Sequence, residues 1–115
     1  MTVRIYHNPR CSKSRQTLEL LRSRGVEPEV VEYLKTPPDA SELDRILKAL
    51  DLQPRELMRR KEKEYADNGL DDEGLDRAAL IHAMVEHPRL IERPIVVNGA
   101  RVALGRPPEN VLEIL

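Results

Sequence analysis

The sequence predicts a single α/β domain. Three observations lead there: short apolar–polar alternation in Val3-Arg4-Ile5-Tyr6 and Glu29-Val30-Val31-Glu32-Tyr33, helical spacing in the stretches between strands, and a hairpin signal near the C-terminus. At 115 residues the chain has room for one core and not comfortably for two. Hydrophobic residues make up 40% of it, with no Phe or Trp and three Tyr, so Leu, Val and Ile must fill the interior. Each such side chain contributes roughly 1.5–3 kcal/mol when fully buried. The net charge of −1 argues against a binder of nucleic acid or anionic membrane, which usually carries a basic excess. No segment approaches the ~20 apolar residues of a membrane span, and no secretory signal is visible at the N-terminus. The single cysteine excludes an intramolecular disulfide, and a cytosolic, reducing location is expected.

The elements follow in order. The first strand breaks at His7-Asn8-Pro9, and from Ser12 the pattern turns helical, with Leu18, Leu20 and Leu21 on one side. Gly25 stands where a left-handed cap ends a helix. The strand Glu29–Tyr33 completes a β-α-β unit with parallel strands. After Thr36-Pro37-Pro38, Asp39 is an N-cap with Glu42 three residues on, and Leu43, Ile46, Leu47 and Leu50 form a helical stripe. Pro54 starts a short helix through Met58. The polar stretch from Lys61 to Gly74 carries no clear period. Asp76 caps a further helix whose Leu80, Ile81, Met84 and Val85 make an apolar face. Pro94-Ile95-Val96-Val97 and Arg101-Val102-Ala103-Leu104 flank Asn98-Gly99, the pair suited to a type I′ turn. A last helix is expected over Glu109–Leu115, with Val111, Leu112 and Leu115 inward. The order β-α-β, helical insertion (approximately 39–86), β-β-α predicts a thioredoxin-like fold with a four-stranded mixed sheet, spanning 1–115 as one domain.

Cys11 lies directly after a strand and directly before a helix. N–H groups of a first helical turn lack intrahelical partners, and the helix dipole places partial positive charge there. Both favour a thiolate and both can hold an oxyanion beside it. Arg10, Lys13 and Arg15 add positive charge, and His7 stands just upstream. A lone cysteine is more often an inert core residue, but the polar flanks Pro9, Arg10, Ser12, Lys13 and Ser14 are not a core environment. Ser12, Ser14 and Arg15 are candidates for binding the anion or stabilising the thiolate. Ser14 occupies the place of the second cysteine of a dithiol enzyme, and its alternatives are a bond to the thiolate, a bond to the anion, or an ordinary first-turn residue. Any redox cycle must then borrow a second thiol from outside the chain.

The run Ile5-Tyr6-His7-Asn8-Pro9-Arg10-Cys11-Ser12-Lys13-Ser14-Arg15 closely resembles the active-site segment of the glutaredoxin-dependent arsenate reductase family. So do Tyr33-Leu34-Lys35-Thr36-Pro37-Pro38, Leu90-Ile91-Glu92-Arg93-Pro94-Ile95-Val96-Val97 and Gly105-Arg106-Pro107-Pro108, in order along nearly the whole chain. The resemblance implies reduction of arsenate to arsenite with glutathione as co-substrate, glutaredoxin as partner, and no metal or organic cofactor. It implies catalytic roles for Cys11, His7, Arg93 and Arg106, and for a third arginine, Arg59, with Arg60 beside it as the alternative. A guanidinium, planar and always charged, suits a tetrahedral oxyanion. The resemblance also gives Pro94 the place of a cis-proline. His82 and His87 read as helix-surface and helix-end residues, and no metal site is expected.

In the mechanism so implied, the Cys11 thiolate forms a covalent adduct with arsenate, glutathione attacks the adduct, and glutaredoxin clears the mixed disulfide. The chain departs from the best-known members at Arg10, where a small residue is familiar, and at Ser12-Lys13. An alternative is therefore a glutathione-dependent thiol or disulfide reductase with a different substrate. A further alternative is a redox-sensing transcription regulator that binds RNA polymerase, sensing by glutathionylation because Ser14 removes the dithiol.

Overall fold

The computed structural model describes residues 2–115. The chain divides into two compact units, one formed by the chain up to Thr36 together with Arg93–Leu115, the other by Pro37–Glu92.

The first unit holds the sheet: β1 (Val3–His7), β2 (Glu29–Glu32), β3 (Ile95–Asn98) and β4 (Arg101–Leu104), in the order β2-β1-β3-β4. β1 pairs parallel with β2, setting Ile5 against Val30, and antiparallel with β3, setting Ile5 against Val96. β3 and β4 form the antiparallel hairpin. This is the thioredoxin-like arrangement that the element order predicts. Helix α1 (Ser12–Ser23) links β1 to β2. It ends in a Schellman motif: Gly25 has φ +78°, its N–H bonds the Arg22 carbonyl, and the Val26 N–H bonds the Leu21 carbonyl. Val3, Ile5, Leu21, Val96, Ala103, Val111 and Ile114 form the core, with Leu18, Leu20 and Val26 packed against it.

Two expectations for this unit are corrected. The hairpin turn is Gly99-Ala100, not Asn98-Gly99, because Asn98 pairs with Arg101 as the last residue of β3. Only Gly99 (φ +62°) has a positive φ, the pattern of a type II′ rather than a type I′ turn. Asn98 is held in the strand by its side chain, whose Nδ2 donates to the Ile114 carbonyl at 2.6 Å. The closing segment is a 3₁₀ helix, Pro108–Ile114, which buries Val111 and Ile114 and leaves Leu115 exposed and Leu112 half-buried. With three residues per turn, positions three apart face the same way, so Ile114 takes the place expected for Leu115.

The second unit is helical. In α2 (Ala40–Leu50) the Asp39 carboxylate accepts from the Glu42 N–H at 2.8 Å, and Leu43, Ile46 and Leu47 are buried. A 3₁₀ turn follows at Pro54–Leu57. The unread stretch contains α3 (Lys63–Asp67), anchored by buried Tyr65. α4 (Arg77–Glu86) is capped by Asp76, whose carboxylate accepts from the Ala79 N–H at 2.9 Å. It buries Leu80, Ile81, Ala83 and Met84, with Val85 only half-buried. A bridge pairs Met58 with Ile91, flanked by bonds from the Arg59 N–H to the Leu90 carbonyl and from the Glu92 N–H to the Leu57 carbonyl. No helix among the described residues is long and apolar enough to cross a membrane.

Candidate active site

Cys11 is the N-cap of α1, in extended conformation with φ −93° and ψ 122°. Local bonds fix the loop before it. The Cys11 N–H bonds the Asn8 carbonyl at 3.0 Å, and the Arg10 N–H bonds Asn8 Oδ1 at 3.0 Å. The Asn8 N–H in turn donates to Ser14 Oγ at 3.0 Å, and Arg15 Nη1 donates to the Pro9 carbonyl at 2.9 Å. Ser14 Oγ lies 2.6 Å from His7 Nδ1. Burial pushes the His7 pKa down; the charges of Arg22 and Arg15 push the same way, and Glu32 opposes them. The lowered pKa favours the neutral ring; Ser14 Oγ accepts from the Asn8 N–H, and the imidazole tautomer sets which of Ser14 and His7 donates in the second bond.

The sulfur sits among opposing effects. Burial pushes the Cys11 thiol up, but a hydrogen bond from Arg93, the Ser14 N–H, the Arg93 charge and the Lys13 N–H pull it down. The net direction is below the ordinary thiol value, towards thiolate. The side chain makes no capping bond of full geometry, so these amides act as oriented dipoles at the helix end. Arg106 Nη2 lies 3.9 Å from Cys11 Sγ, a long contact even for sulfur, and of the two guanidinium groups it is Arg93 that pulls the thiol down.

The two arginines are tied to each other. Arg106 Nε donates to the Arg93 carbonyl at 2.7 Å. The Arg93–Pro94 bond is cis, as the family resemblance implies, and Arg106–Pro107 is cis as well. The Gly105 N–H bonds the Pro94 carbonyl at 2.9 Å. A Cβ on Gly105 would stand 2.7 Å from Thr17 Oγ1 and 2.8 Å from Pro94 Cγ, so only glycine lets β4 pass this close to α1. Burial lowers the Arg93 pKa, but hydrogen bonds and charge interactions with Cys11 and Tyr33 outweigh it and raise it. Tyr33 is fully buried just beyond β2.

The structure thus brings together Cys11, Arg93 and Arg106, and separately locks His7 to Ser14. The Ser14 side chain is turned to His7 and Asn8 rather than to the thiolate, so its backbone N–H is what serves the sulfur. His7, biased towards its neutral form, holds the loop through Ser14. Arg15 braces Pro9, and Ser12, Arg10 and Lys13 are exposed. In the other unit Arg59 lies between Glu62 at 2.7 Å and Glu92 at 3.8 Å, and Arg60 Nε donates to the Arg55 carbonyl at 3.3 Å. His82 pairs with Glu86 at 2.9 Å, and His87 ends α4. Among the described residues no three His, Cys, Asp or Glu side chains gather as a metal would require. Sequence reasoning assigned no role to Asn8, Tyr33 or Gly105. An Asn before Pro is a turn signal that marks Asn8, whereas Tyr33 and Gly105 matter through contacts distant in sequence.

The sequence matches the ArsC family over residues 6–114. It is 59% identical to the uncharacterized protein YfgD of Escherichia coli K12, over 98% of this chain and 96% of that one. It is 51% identical to an arsenate reductase of Neisseria meningitidis serogroup A, over 98% and 97% of the two chains. Among solved structures, an arsenate reductase from Vibrio cholerae superposes with a TM-score of 0.96 at 53% identity, covering 100% of this chain and 98% of that one.

Proposed function

The chain belongs to the ArsC family, and on that premise we propose that it reduces arsenate to arsenite through Cys11, drawing electrons from glutathione and glutaredoxin. The observation that carries the reading is a sulfur at a helix N-terminus, biased towards thiolate by the Arg93 guanidinium and first-turn amides, with Arg106 Nη2 3.9 Å away. Relatives bearing the name arsenate reductase, at about half sequence identity along nearly the full chain, support the choice of oxyanion.

Cys11 Sγ attacks arsenic, an S–As bond forms, and an arsenate oxygen leaves as water after taking up protons. Arg93 and Arg106 offset the negative charge that gathers there; the family resemblance adds Arg59 to the groups that meet the anion. Glutathione then attacks the adduct. A new S–S bond joins it to Cys11, the electron pair of the S–As bond stays on arsenic, and arsenite departs in the +3 state. Glutaredoxin removes the glutathionyl group by thiol exchange and returns Cys11 to thiolate. With one cysteine in the chain, both reducing equivalents come from outside it. A reducing cytosol suits this cycle.

The test is arsenite formation with glutathione and glutaredoxin present, beside a Cys11→Ser control. Turnover that vanishes in the control is expected. Absence of arsenite together with brisk reduction of disulfides would transfer the reading to a thiol reductase with another substrate.

A further inference from the structure

Building on the reductase reading, we propose that the cleft between residues 7–10 and the end of β2 docks the external thiol, a small peptide carrying two carboxylates and one ammonium, as glutathione does. The cleft has a volume of about 360 Å³, within the size range of small-ligand sites. One wall is the loop immediately before Cys11, and the other is Glu32, Leu34 and Lys35. The loop wall is already rigid, because His7 and Asn8 are buried and bonded through Ser14. A preformed wall spares a ligand the cost of ordering it.

The charges of the cleft match the ligand in number and sign. Arg10 and Lys35 face two carboxylates; Glu32 faces one ammonium. Lys35 and Glu32 pair with each other at 3.7 Å, with 78% and 46% of their side chains exposed, a contact weak enough to open for a competing ion. The Arg10 guanidinium has no ion-pair partner among the described residues. Leu34 is 42% exposed and offers apolar contact to the methylenes of the peptide.

The experiment measures how fast Cys11 is glutathionylated by oxidised glutathione, followed by intact mass. In that reaction the Cys11 thiolate attacks one sulfur of the disulfide, a new S–S bond forms, and glutathione thiolate leaves. Rates are compared with neutral hydroxyethyl disulfide and with dithiodiglycolate, which has carboxylates and no ammonium. The double variant Arg10→Ala/Lys35→Ala is expected to lower the ratio of the glutathione rate to the neutral rate about tenfold. Glu32→Gln is expected to slow the glutathione reaction and leave that of dithiodiglycolate no slower. An unchanged ratio in the double variant, or equal slowing of both charged disulfides by Glu32→Gln, would overturn the site. No arsenate enters this measurement, so charge-dependent glutathionylation without arsenate turnover removes the arsenate reading alone. Arsenate turnover with charge-blind glutathionylation removes the docking site alone.

Discussion

Arg93 and Arg59 show how two regions of one chain treat a guanidinium in opposite ways. In the sheet unit, Arg93 meets the Cys11 sulfur and the Tyr33 side chain, and no carboxylate pairs with it among the described residues. In the helical unit, Arg59 lies between Glu62 and Glu92, and Glu62 is shared with Arg89 at 3.7 Å. The first charge is left for a sulfur and whatever anion joins it. The second is already balanced and fastens the turn after Met58 to the strand-like segment at Ile91. Two arginines of equal standing in the sequence thus differ in available charge.

The largest effect should come from testing that difference on the thiol. Arg93→Ala removes a charge-assisted hydrogen bond to a buried anion, about 1.5–3 kcal/mol. Cys11 alkylation at pH 7 should slow roughly tenfold or more, with its pH profile moved upward. Arg59→Ala should leave that profile in place while it weakens arsenate turnover. A profile moved equally by both variants would break the comparison.

A smaller effect is expected at Gly105, which packs against Thr17 and Pro94 directly before Arg106. Gly105→Ala should cost about 1–3 kcal/mol by overpacking against Thr17 and Pro94. Chemical denaturation measures it, and Thr17→Ala in the same chain should recover part of the loss. Full stability in Gly105→Ala would show that β4 and α1 give way freely.

The smallest is a pH dependence from His7. Its pKa is lowered in the folded chain, so the unfolded chain binds the proton more tightly. Stability from this group is then complete above the unfolded value near ~6.5 and shrinks as pH falls below it. Urea midpoints at pH 7.5 and 5.5 should differ less in His7→Gln than in the parent. Equal differences would mean that the ring titrates alike in both states.

Much of the frame was legible because its signals are local. Asp39 with Leu43, Ile46 and Leu47 gave α2, and Gly25 marked the end of α1 through its left-handed φ. The exposed flanks of Cys11 and its strand-to-helix junction pointed to the sulfur. What stayed hidden depends on partners far along the chain. The turn shifted by one residue because Asn98 is claimed by a carbonyl sixteen residues away. The final helix tightened to 3₁₀, so its buried residues are three apart. Within Lys61–Gly74, buried Tyr65 and Leu70 are too few to reveal a period. Around the sulfur, Tyr33 and Gly105 act through Arg93 and Pro94, contacts that no local pattern encodes. For Ser14 the sequence leaves a bond to the thiolate, a bond to the anion and an ordinary first-turn role all open, and the partners its hydroxyl takes, His7 and the Asn8 N–H, stand seven and six residues away.

The outer strand β2 reads Glu-Val-Val-Glu, the same in both directions, and pairs on one side only. If two copies met edge to edge in register, whether running alike or opposed, glutamate would oppose glutamate at both ends. Like charges directly across a strand pair repel. The palindrome therefore works as a fence against fibrous growth at this border of the sheet, one of its two, where another backbone would otherwise find open hydrogen-bonding groups.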